Sequence, residues 1–259
     1  MVIPMLRAFL AVFVWALAPA FAQVPDLYTT ESYGDPPFLS QPGWRPLLNG
    51  QDLNGWHGAG RDPHGWVTTR SVIWRRIFDP KRLTFTPGPG DRITNGREGR
   101  AAYLVSDEAF GDCEVYLEFM LAAGSNSGVF FNGKYEVQLF DSFGFGGVLM
   151  PGDNGAIYRL WNNAGGWPPR VNASRPPGTW QSLHVWFRPP RFEGGKKTAN
   201  ARFLRVLLNE TLVHEDVEVA GPTGNHRDRT ETPEGSIMLQ GDHGPVAFRN
   251  IYIRPLDAP

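Results

Sequence analysis

Acidic and amide side chains alternate with apolar ones in the segment Tyr135–Asp141. If this segment is a β-strand, Glu136 and Gln138 share one face, and the opposite face carries Tyr135, Val137 and Leu139. The apolar face must meet the core, so we expect Glu136 and Gln138 to point outward, towards solvent or into a binding groove. A carboxylate in a groove can act as a general base. Asp141 falls on the core side by parity, unless the strand ends or bulges there.

A second candidate cluster combines an imidazole with two indoles. His184 shares one face of a predicted strand with Trp180 and Trp186, and the other face carries Leu183, Val185 and Phe187. Large aromatic side chains are rarely left in water, so either a neighbouring segment covers them or they bind a ligand. Indole rings stack well on the apolar faces of sugars, which would suit a carbohydrate platform. His184 itself can be a proton carrier or a structural hydrogen-bonding residue.

Two loops and one arginine complete the set of candidates. The turn Gln240–Pro245 contains Asp242 and His243, which can stabilise the turn, orient a proton carrier or bind a metal. The polar loop Gly124–Gly128 places Asn126 where its amide can bond to a ligand. Arg249 lies in the apolar strand that follows the first of these loops.

The elements that must position these residues are short strands. Runs of period-two alternation recur along the chain, and no window of 12 or more residues has a convincing helical period. We predict strands at 113–120, 128–132, 135–140, 180–187, 203–208, 211–214, 236–240 and 246–254, a turn at Asn209-Glu210, and a solvated basic loop over 188–202. With 30 glycines and 23 prolines to form turns, this pattern predicts an all-β, two-sheet jelly-roll sandwich.

Composition excludes several classes of protein. The formal net charge of −1 and the absence of a basic stripe argue against binding of nucleic acid. Cys113 is the sole cysteine, so the chain can form neither an internal disulfide nor a cysteine-based zinc site. The sequence contains no phosphate-binding glycine loop, no dinucleotide fingerprint, no H-E-x-x-H motif and no G-x-S-x-G elbow.

The first residues have the features of a secretory signal peptide. Arg7 precedes an apolar stretch that ends in Ala20-Phe21-Ala22, which predicts cleavage before Gln23. The stretch is shorter than a membrane span of roughly 20 residues. We therefore expect a signal peptide over 1–22, an extended lead-in over 23–43 and a single domain over 44–259. The mature protein would be secreted or periplasmic, without a membrane anchor.

Several motifs, taken in order, resemble the 3-keto-disaccharide hydrolase domain family. The segments that carry this resemblance are Leu48–Trp56, Ser125–Val129, Tyr135–Asp141, Gly155–Tyr158, Gly178–Trp180, Asp242–Gly244 and Phe248–Ile251. Together they span about residues 44–256. Residues 57–100 depart from the opening strands of the family, which predicts an insertion.

The resemblance implies a sandwich of the concanavalin-A-like lectin/glucanase type, in exported bacterial proteins that act on sugars oxidised at C3. Glucanases of this fold carry acids at alternate positions of one strand. Here the corresponding positions hold Glu136, Gln138 and Phe140, so only one of the three is an acid. A retaining mechanism with two carboxylates needs a second acid about 5–5.5 Å from the first, and this strand does not supply it.

A 3-keto sugar requires only one base, because its ketone acidifies the hydrogen on C2. The C1 substituent can then leave by elimination, and water adds back. We assign the base to Glu136 and the acid to His184. Gln138, together with Asn126 or Arg249, would hold the ketone oxygen or the developing enolate oxygen. Trp180 and Trp186 would form the sugar platform. Asp141 would orient a partner or join His243 in a site for a divalent metal ion.

Two alternatives from other classes remain open. A non-catalytic, lectin-like carbohydrate-binding module would use the same fold and the same indoles to hold an oligosaccharide. An ordinary endo-glucanase would need a second carboxylate facing Glu136. Turnover of 3-keto-glucosides, beside binding of unoxidised sugars, distinguishes these possibilities.

Overall fold

A computed structural model describes residues 36–162, 164–224 and 228–256. The predicted signal peptide and residues 23–35 of the lead-in lie outside this range. In the described residues, the only helical element is a short 3-10 turn, Pro37–Ser40. The strands are β1 (Arg45–Pro46), β2 (Trp56–Gly58), β3 (Val67–Thr69), β4 (Val72–Arg75), β5 (Asp79–Phe85), β6 (Arg92–Thr94), β7 (Leu104–Phe110), β8 (Cys113–Leu121), β9 (Asn126–Phe131), β10 (Tyr135–Phe140), β11 (Gln181–Arg188), β12 (Arg191–Glu193), β13 (Lys196–Ala199), β14 (Ala201–Leu208), β15 (Thr211–Val219), β16 (Gly235–Leu239) and β17 (Val246–Pro255).

Two antiparallel sheets form the sandwich. The large sheet has the order β15-β14-β11-β8-β17-β6-β3, with β1 paired to β17. The small sheet has the order β10-β9-β16-β7-β2. Neighbours in each sheet are mostly far apart in sequence, as in a jelly roll. The predicted all-β jelly-roll sandwich is confirmed.

Alternation along the strands builds the core between the sheets. The large sheet contributes Val115, Leu117, Phe119, Leu183, Val185, Phe187 and Phe248, and the small sheet contributes Val129, Phe131, Tyr135, Val137, Leu139 and Leu239. All of these side chains are almost completely buried. The predicted inward faces of β8, β10 and β11 are therefore confirmed.

The outer face of the large sheet is also covered, which is why every residue of β8 is buried. The β4–β5 hairpin packs its Trp74 and Leu83 against Met120 and Trp180. Phe38, in the short turn before β1, stacks on His184 with ring centroids 4.8 Å apart. The lead-in and the hairpin thus remove this face from the solvent.

The predicted strands begin and end within two residues of the observed ones, except that the strand predicted at 211–214 continues to Val219. No strand is predicted from the sequence at the positions of β1–β7. The turn at Asn209-Glu210 is confirmed, and both residues have positive φ angles of 50° and 65°. The prediction of a plain loop over 188–202 is wrong, because this segment contains the β12–β13 hairpin. Gly194 and Gly195, both with positive φ, form the turn of this hairpin. Its strands are rich in charged residues and lack the alternation of apolar and polar residues that predicts a strand.

Across the described ranges, the chain contains no helix that combines the length and apolar composition required to cross a bilayer.

Candidate active site

A polar cavity of about 220 Å³ opens on the outer face of the small sheet. It is lined by Tyr103, Asn126, Phe130, Glu136, Gln138, Tyr158, Gly224, Gln240 and His243. These residues come from β9, from β10 and from the segments that flank β7, β16 and the edge of β10. The core side chains of the same strands point the other way, so the strand pleat directs these polar groups outward.

Glu136 is the central charged group of the cavity. It lies on β10 opposite Phe130 of β9, and only 3% of the residue is exposed. No described residue donates a hydrogen bond to its carboxylate. Burial, and to a lesser extent the negative charge of Asp242, raises the pKa of Glu136 to about 8. A buried, unpartnered carboxyl group in a cavity is costly for folding, and such groups cluster at functional sites.

Gly128 makes the room that Glu136 occupies. It lies opposite Gln138 in the β9–β10 ladder, directly beneath the Glu136 side chain. A Cβ atom at Gly128 would lie 2.2 Å from Oε1 of Glu136. The absence of a side chain at this position therefore sets where the carboxylate lies.

Two amides lie beside the carboxylate on the same sheet face. The Nε2 of Gln138 donates to Oδ1 of Asn126 across 3.1 Å. This bond leaves the Nδ2 of Asn126 and the Oε1 of Gln138 without protein partners in the described part of the chain. One donor and one acceptor are thus available to a ligand.

A phenol and a third amide form the opposite wall. The Nε2 of Gln240 donates to the hydroxyl of Tyr103 across 2.9 Å, while the buried Oε1 of Gln240 has no partner among the described residues. Burial raises the pKa of Tyr103 to about 12. The phenol is therefore neutral at ordinary pH and can donate its proton in a hydrogen bond.

His243 is the imidazole of this cavity. Its Nδ1 lies 2.5 Å from Oδ1 of Asp242, and about half of its side chain is exposed. A carboxylate on Nδ1 fixes the ring orientation and leaves Nε2 available. Asp242 thus orients the His243 ring, and His243 can transfer a proton through Nε2.

Tyr158 belongs to a segment that extends the small sheet beyond β10. The N–H of Gly155 donates to the Gln138 carbonyl (2.8 Å), and the N–H of Tyr158 donates to the Glu136 carbonyl (3.1 Å). His214 of β15 lies 2.9 Å, through Nε2, from the carbonyl of Gly155. Burial lowers the pKa of His214 to about 4, so the neutral ring donates this bond and ties the segment to the large sheet.

The structure does not bring His184 together with Glu136. His184 lies on β11 in the large sheet, on the face turned away from the core, where its Nε2 is 2.7 Å from Oε1 of Glu114. Phe38 covers its ring on one side, and Trp186 stacks on it at 3.9 Å. Since the two sheets lie about 10 Å apart, the complete core separates His184 from the cavity. The expected pairing of Glu136 with His184 is corrected accordingly.

The two predicted platform indoles and Arg249 also lie on the large sheet. Trp180 is buried beneath the β4–β5 hairpin, and the guanidinium of Arg249 lies 4.2 Å from its ring. The Nε of Arg249 donates to Glu118 across 2.7 Å. Trp186 is flanked by His184 and Arg205. None of the three lines the cavity, so the expected sugar platform beside Glu136 is absent from the arrangement described.

Asp141 and His243 are not partners in the described structure. β10 ends at Phe140, and Oδ2 of Asp141 accepts the N–H of Gly124 across 2.8 Å, so Asp141 fixes the loop before β9. Within the described ranges, no group of three or more His, Cys, Asp and Glu side chains is arranged to hold a metal ion.

Five of the lining residues have no role in the site assigned from the sequence, namely Tyr103, Phe130, Tyr158, Gly224 and Gln240. Gln240 and Tyr158 lie within motifs that we singled out, but we gave neither a role in the site. Tyr103 stands alone before β7, and nothing in its neighbours marks it. Only the pairing of strands distant in sequence brings these side chains to Glu136.

Comparison with solved structures finds the same fold in other proteins. Three crystal structures of candidate glycosyl hydrolases from Parabacteroides distasonis share this sandwich. The first is 24% identical with a TM-score of 0.62, covering 83% of this chain and 84% of that one. The second is 19% identical with a TM-score of 0.55 (83% and 94% covered), and the third is 20% identical with a TM-score of 0.52 (82% and 99%). A comparison with curated protein sequences returns no match.

The sequence itself identifies the family. Residues 43–254 match the 3-keto-alpha-glucoside-1,2-lyase-like domain, and the chain belongs to this family. The expected family is confirmed, and the match includes residues 57–100, where we predict an insertion. A glycoside-acting enzyme is the function class that the family supports.

Proposed function

We propose that this protein cleaves 3-keto-glycosides by removal of the C2 proton, elimination of the C1 substituent and addition of water. The observation that carries the proposal is the Glu136 carboxylate. It is buried, it faces the cavity, and it has no protein partner among the described residues. Such a group suits abstraction of a weakly acidic C–H proton.

Glu136 is the base in this reaction. It takes the proton from C2, which the adjacent ketone acidifies, and the electron pair forms the C1=C2 double bond as the C1–O bond breaks. A pKa near 8 makes Glu136 a stronger base than an exposed carboxylate, once it is ionised. Turnover should therefore rise as the pH approaches 8.

His243, and not His184, is the acid in this reaction. It lines the same cavity as Glu136, and Asp242 orients its ring. Its Nε2 can protonate the departing oxygen and later remove a proton from the water that adds to C1. In that addition step protonated Glu136 returns its proton to C2. The product of addition is a 3-keto sugar, so the net reaction is hydrolysis.

The amides hold the ketone. The free Nδ2 of Asn126 can donate to the C3 oxygen and to the enolate that develops there. Gln138 fixes the orientation of Asn126 through their mutual hydrogen bond. The Tyr103 hydroxyl and the Oε1 of Gln240 suit the hydroxyl groups of the sugar.

The cavity favours elimination over hydrolysis with two carboxylates. Glu136 is the only carboxylate among the described residues that line it. Asp242 is near enough for its charge to raise the pKa of Glu136, but its carboxylate is bound by His243. A retaining glycosidase needs a second free acid about 5–5.5 Å from the first. This arrangement disfavours an ordinary endo-glucanase.

The test compares Glu136→Gln with Glu193→Gln, an exposed glutamate on β12. Products from a 3-keto-glucoside and from the unoxidised glucoside are analysed between pH 6 and pH 9. We expect turnover of the keto substrate alone, rising with pH towards a midpoint near 8. Glu136→Gln should lose at least about 10²-fold in kcat, and Glu193→Gln should match the wild type.

Full activity of Glu136→Gln would refute the assignment of the base. Binding of intact sugars without turnover of any 3-keto substrate would instead favour a carbohydrate-binding module.

A further inference from the structure

The tip of the β4–β5 hairpin exposes apolar side chains between cations. Arg76, Ile77 and Phe78 form its turn, and Ile77 and Phe78 are 62% and 76% exposed. Arg75 precedes the turn, and Lys81 follows it at the start of the return strand. Two adjacent large apolar side chains with most of their surface exposed at a hairpin tip indicate an interaction surface.

The charges around the tip are strongly unbalanced. Arg75, Arg76 and Lys81 are exposed and form no ion pair with any residue in the described ranges. The carboxylate of Asp79 is already neutralised, because Arg97 lies 2.6 Å and Arg82 3.5 Å from it.

Glu98 is paired with Arg82. The region therefore carries five cations and two carboxylates, on a protein whose formal net charge is −1.

The hairpin holds this tip in a fixed position. Trp74 and Leu83 are buried against the large sheet, and the Trp74 indole donates to the Pro80 carbonyl across 2.7 Å. The same carbonyl accepts the N–H of Ala123 at 2.8 Å. The tip is thus preorganised, and its exposure does not arise from a loosely attached loop.

We propose that this tip docks on an anionic phospholipid surface. Ile77 and Phe78 enter the interface between headgroups and acyl chains, while Arg75, Arg76 and Lys81 contact the anionic headgroups. Apolar burial combined with basic residues is the physical basis of peripheral binding to acidic membranes. A soluble polyanion would match the cations but would give Ile77 and Phe78 nothing apolar to enter.

The position of the hairpin fits this role. It packs on the outer face of the large sheet, whereas the Glu136 cavity opens on the outer face of the small sheet. A bilayer at the tip therefore leaves the cavity open to solutes. The contact is peripheral and needs no membrane-spanning segment.

The first experiment measures co-sedimentation of the full chain with vesicles of phosphatidylcholine, with and without phosphatidylglycerol. We expect at least about tenfold tighter binding to the anionic vesicles, weakened by added salt. Phe78→Ser should lower this affinity by about tenfold or more. Phe143→Ser removes an exposed phenylalanine elsewhere, 53% exposed, and should bind like the wild type. Turnover on a soluble substrate checks that each variant is folded.

The second experiment labels a cysteine introduced at the hairpin tip, which is possible because the native Cys113 is buried. Cys113 is 3% exposed, and burial raises its pKa to about 12, so an introduced thiol can be labelled selectively. An environment-sensitive fluorophore on Phe78→Cys should shift to the blue when anionic vesicles are added. The same label on Phe143→Cys should not shift.

Four results would overturn the proposal. No binding to either kind of vesicle would remove the membrane role, and equal binding to neutral and anionic vesicles would remove the preference for an anionic surface. Binding of dextran sulfate that equals vesicle binding and is insensitive to Phe78→Ser would indicate a polyanion site. Dimerisation in sedimentation velocity that Phe78→Ser abolishes would assign the tip to a second copy of the chain.

Discussion

At the scale of single residues, the site depends on one glutamate and the glycine beneath it. Glu136 is buried without a hydrogen-bond donor in the described structure, and this environment raises its pKa to about 8. Gly128 leaves the volume that its carboxylate fills. A buried polar group without a hydrogen-bond partner lowers the stability of the folded state. Groups of this kind are common at catalytic sites.

Gly128→Ala tests this arrangement. Its Cβ would lie 2.2 Å from Oε1 of Glu136, so the carboxylate must move by more than an ångström. A displacement of that size is expected to lower kcat by about 10²-fold, with KM changed less. The control is Gly111→Ala, where nothing lies within 4 Å of the new Cβ. Unchanged kcat in Gly128→Ala would show that the position of Glu136 is not critical.

At the scale of elements, the β4–β5 hairpin and the short turn at Phe38 cover the outer face of the large sheet. Both segments lie outside the core between the two sheets. Trp74 of β4 packs against Met120 and Trp180, and Gly178 approaches its ring so closely that a Cβ there would lie 2.4 Å from it. This cover explains why Trp180 is buried although its strand face points away from the core. Trp180, His184 and Trp186 therefore have a structural role, because they pack on the outer face of the large sheet.

Trp74→Ala separates this packing from the reaction. Removal of a buried indole should lower the free energy of unfolding by about 3–5 kcal/mol. Because the cavity lies on the other face of the sandwich, kcat/KM should stay within about twofold of the wild type at a temperature where the variant is folded. Denaturant unfolding measures the loss, and exposed Arg75→Ala should change stability by less than about 0.5 kcal/mol. A large drop in kcat/KM would place the hairpin in the catalytic machinery.

At the scale of the whole molecule, two buried groups make stability depend on pH in opposite directions. The folded pKa of Glu136 is raised from 4.5 to about 8. The folded state therefore binds the extra proton, and stability falls as the pH rises from 4.5 through 8. The folded pKa of His214 is lowered from 6.5 to about 4. The unfolded state binds that proton, and stability falls as the pH drops from 6.5 through 4.

Glu136→Gln should therefore stabilise the protein, and only at higher pH. The gain in the free energy of unfolding is expected to be near zero at pH 4.5 and to grow to several kcal/mol by pH 8, at about 1.4 kcal/mol per unit of pKa difference. Thermal or denaturant unfolding across this range measures the difference between variant and wild type. Glu193→Gln, at an exposed position, should show no such slope. A pH-independent gain would mean that Glu136 does not titrate with a raised pKa.

The class of fold and the outward direction of the candidate side chains follow from the pattern of residues along the chain. Period-two alternation separates core from non-core residues, because successive side chains of a strand point to opposite faces. This rule predicted the inward faces of β8, β10 and β11, and the outward direction of Glu136, Gln138, His184 and Trp186. The ordered motifs identified the family.

The residues that come together on each outer face depend on how the strands pair in three dimensions. A sandwich has two outer faces, and alternation along a strand does not show on which of the two a residue lies. Strand pairing over long sequence separations placed Tyr103, Gln240 and His243 around Glu136. The same pairing placed His184, Trp186 and Arg249 on the far side of the core. Neighbours in one strand are fixed locally, whereas neighbours across a sheet depend on how the whole chain folds.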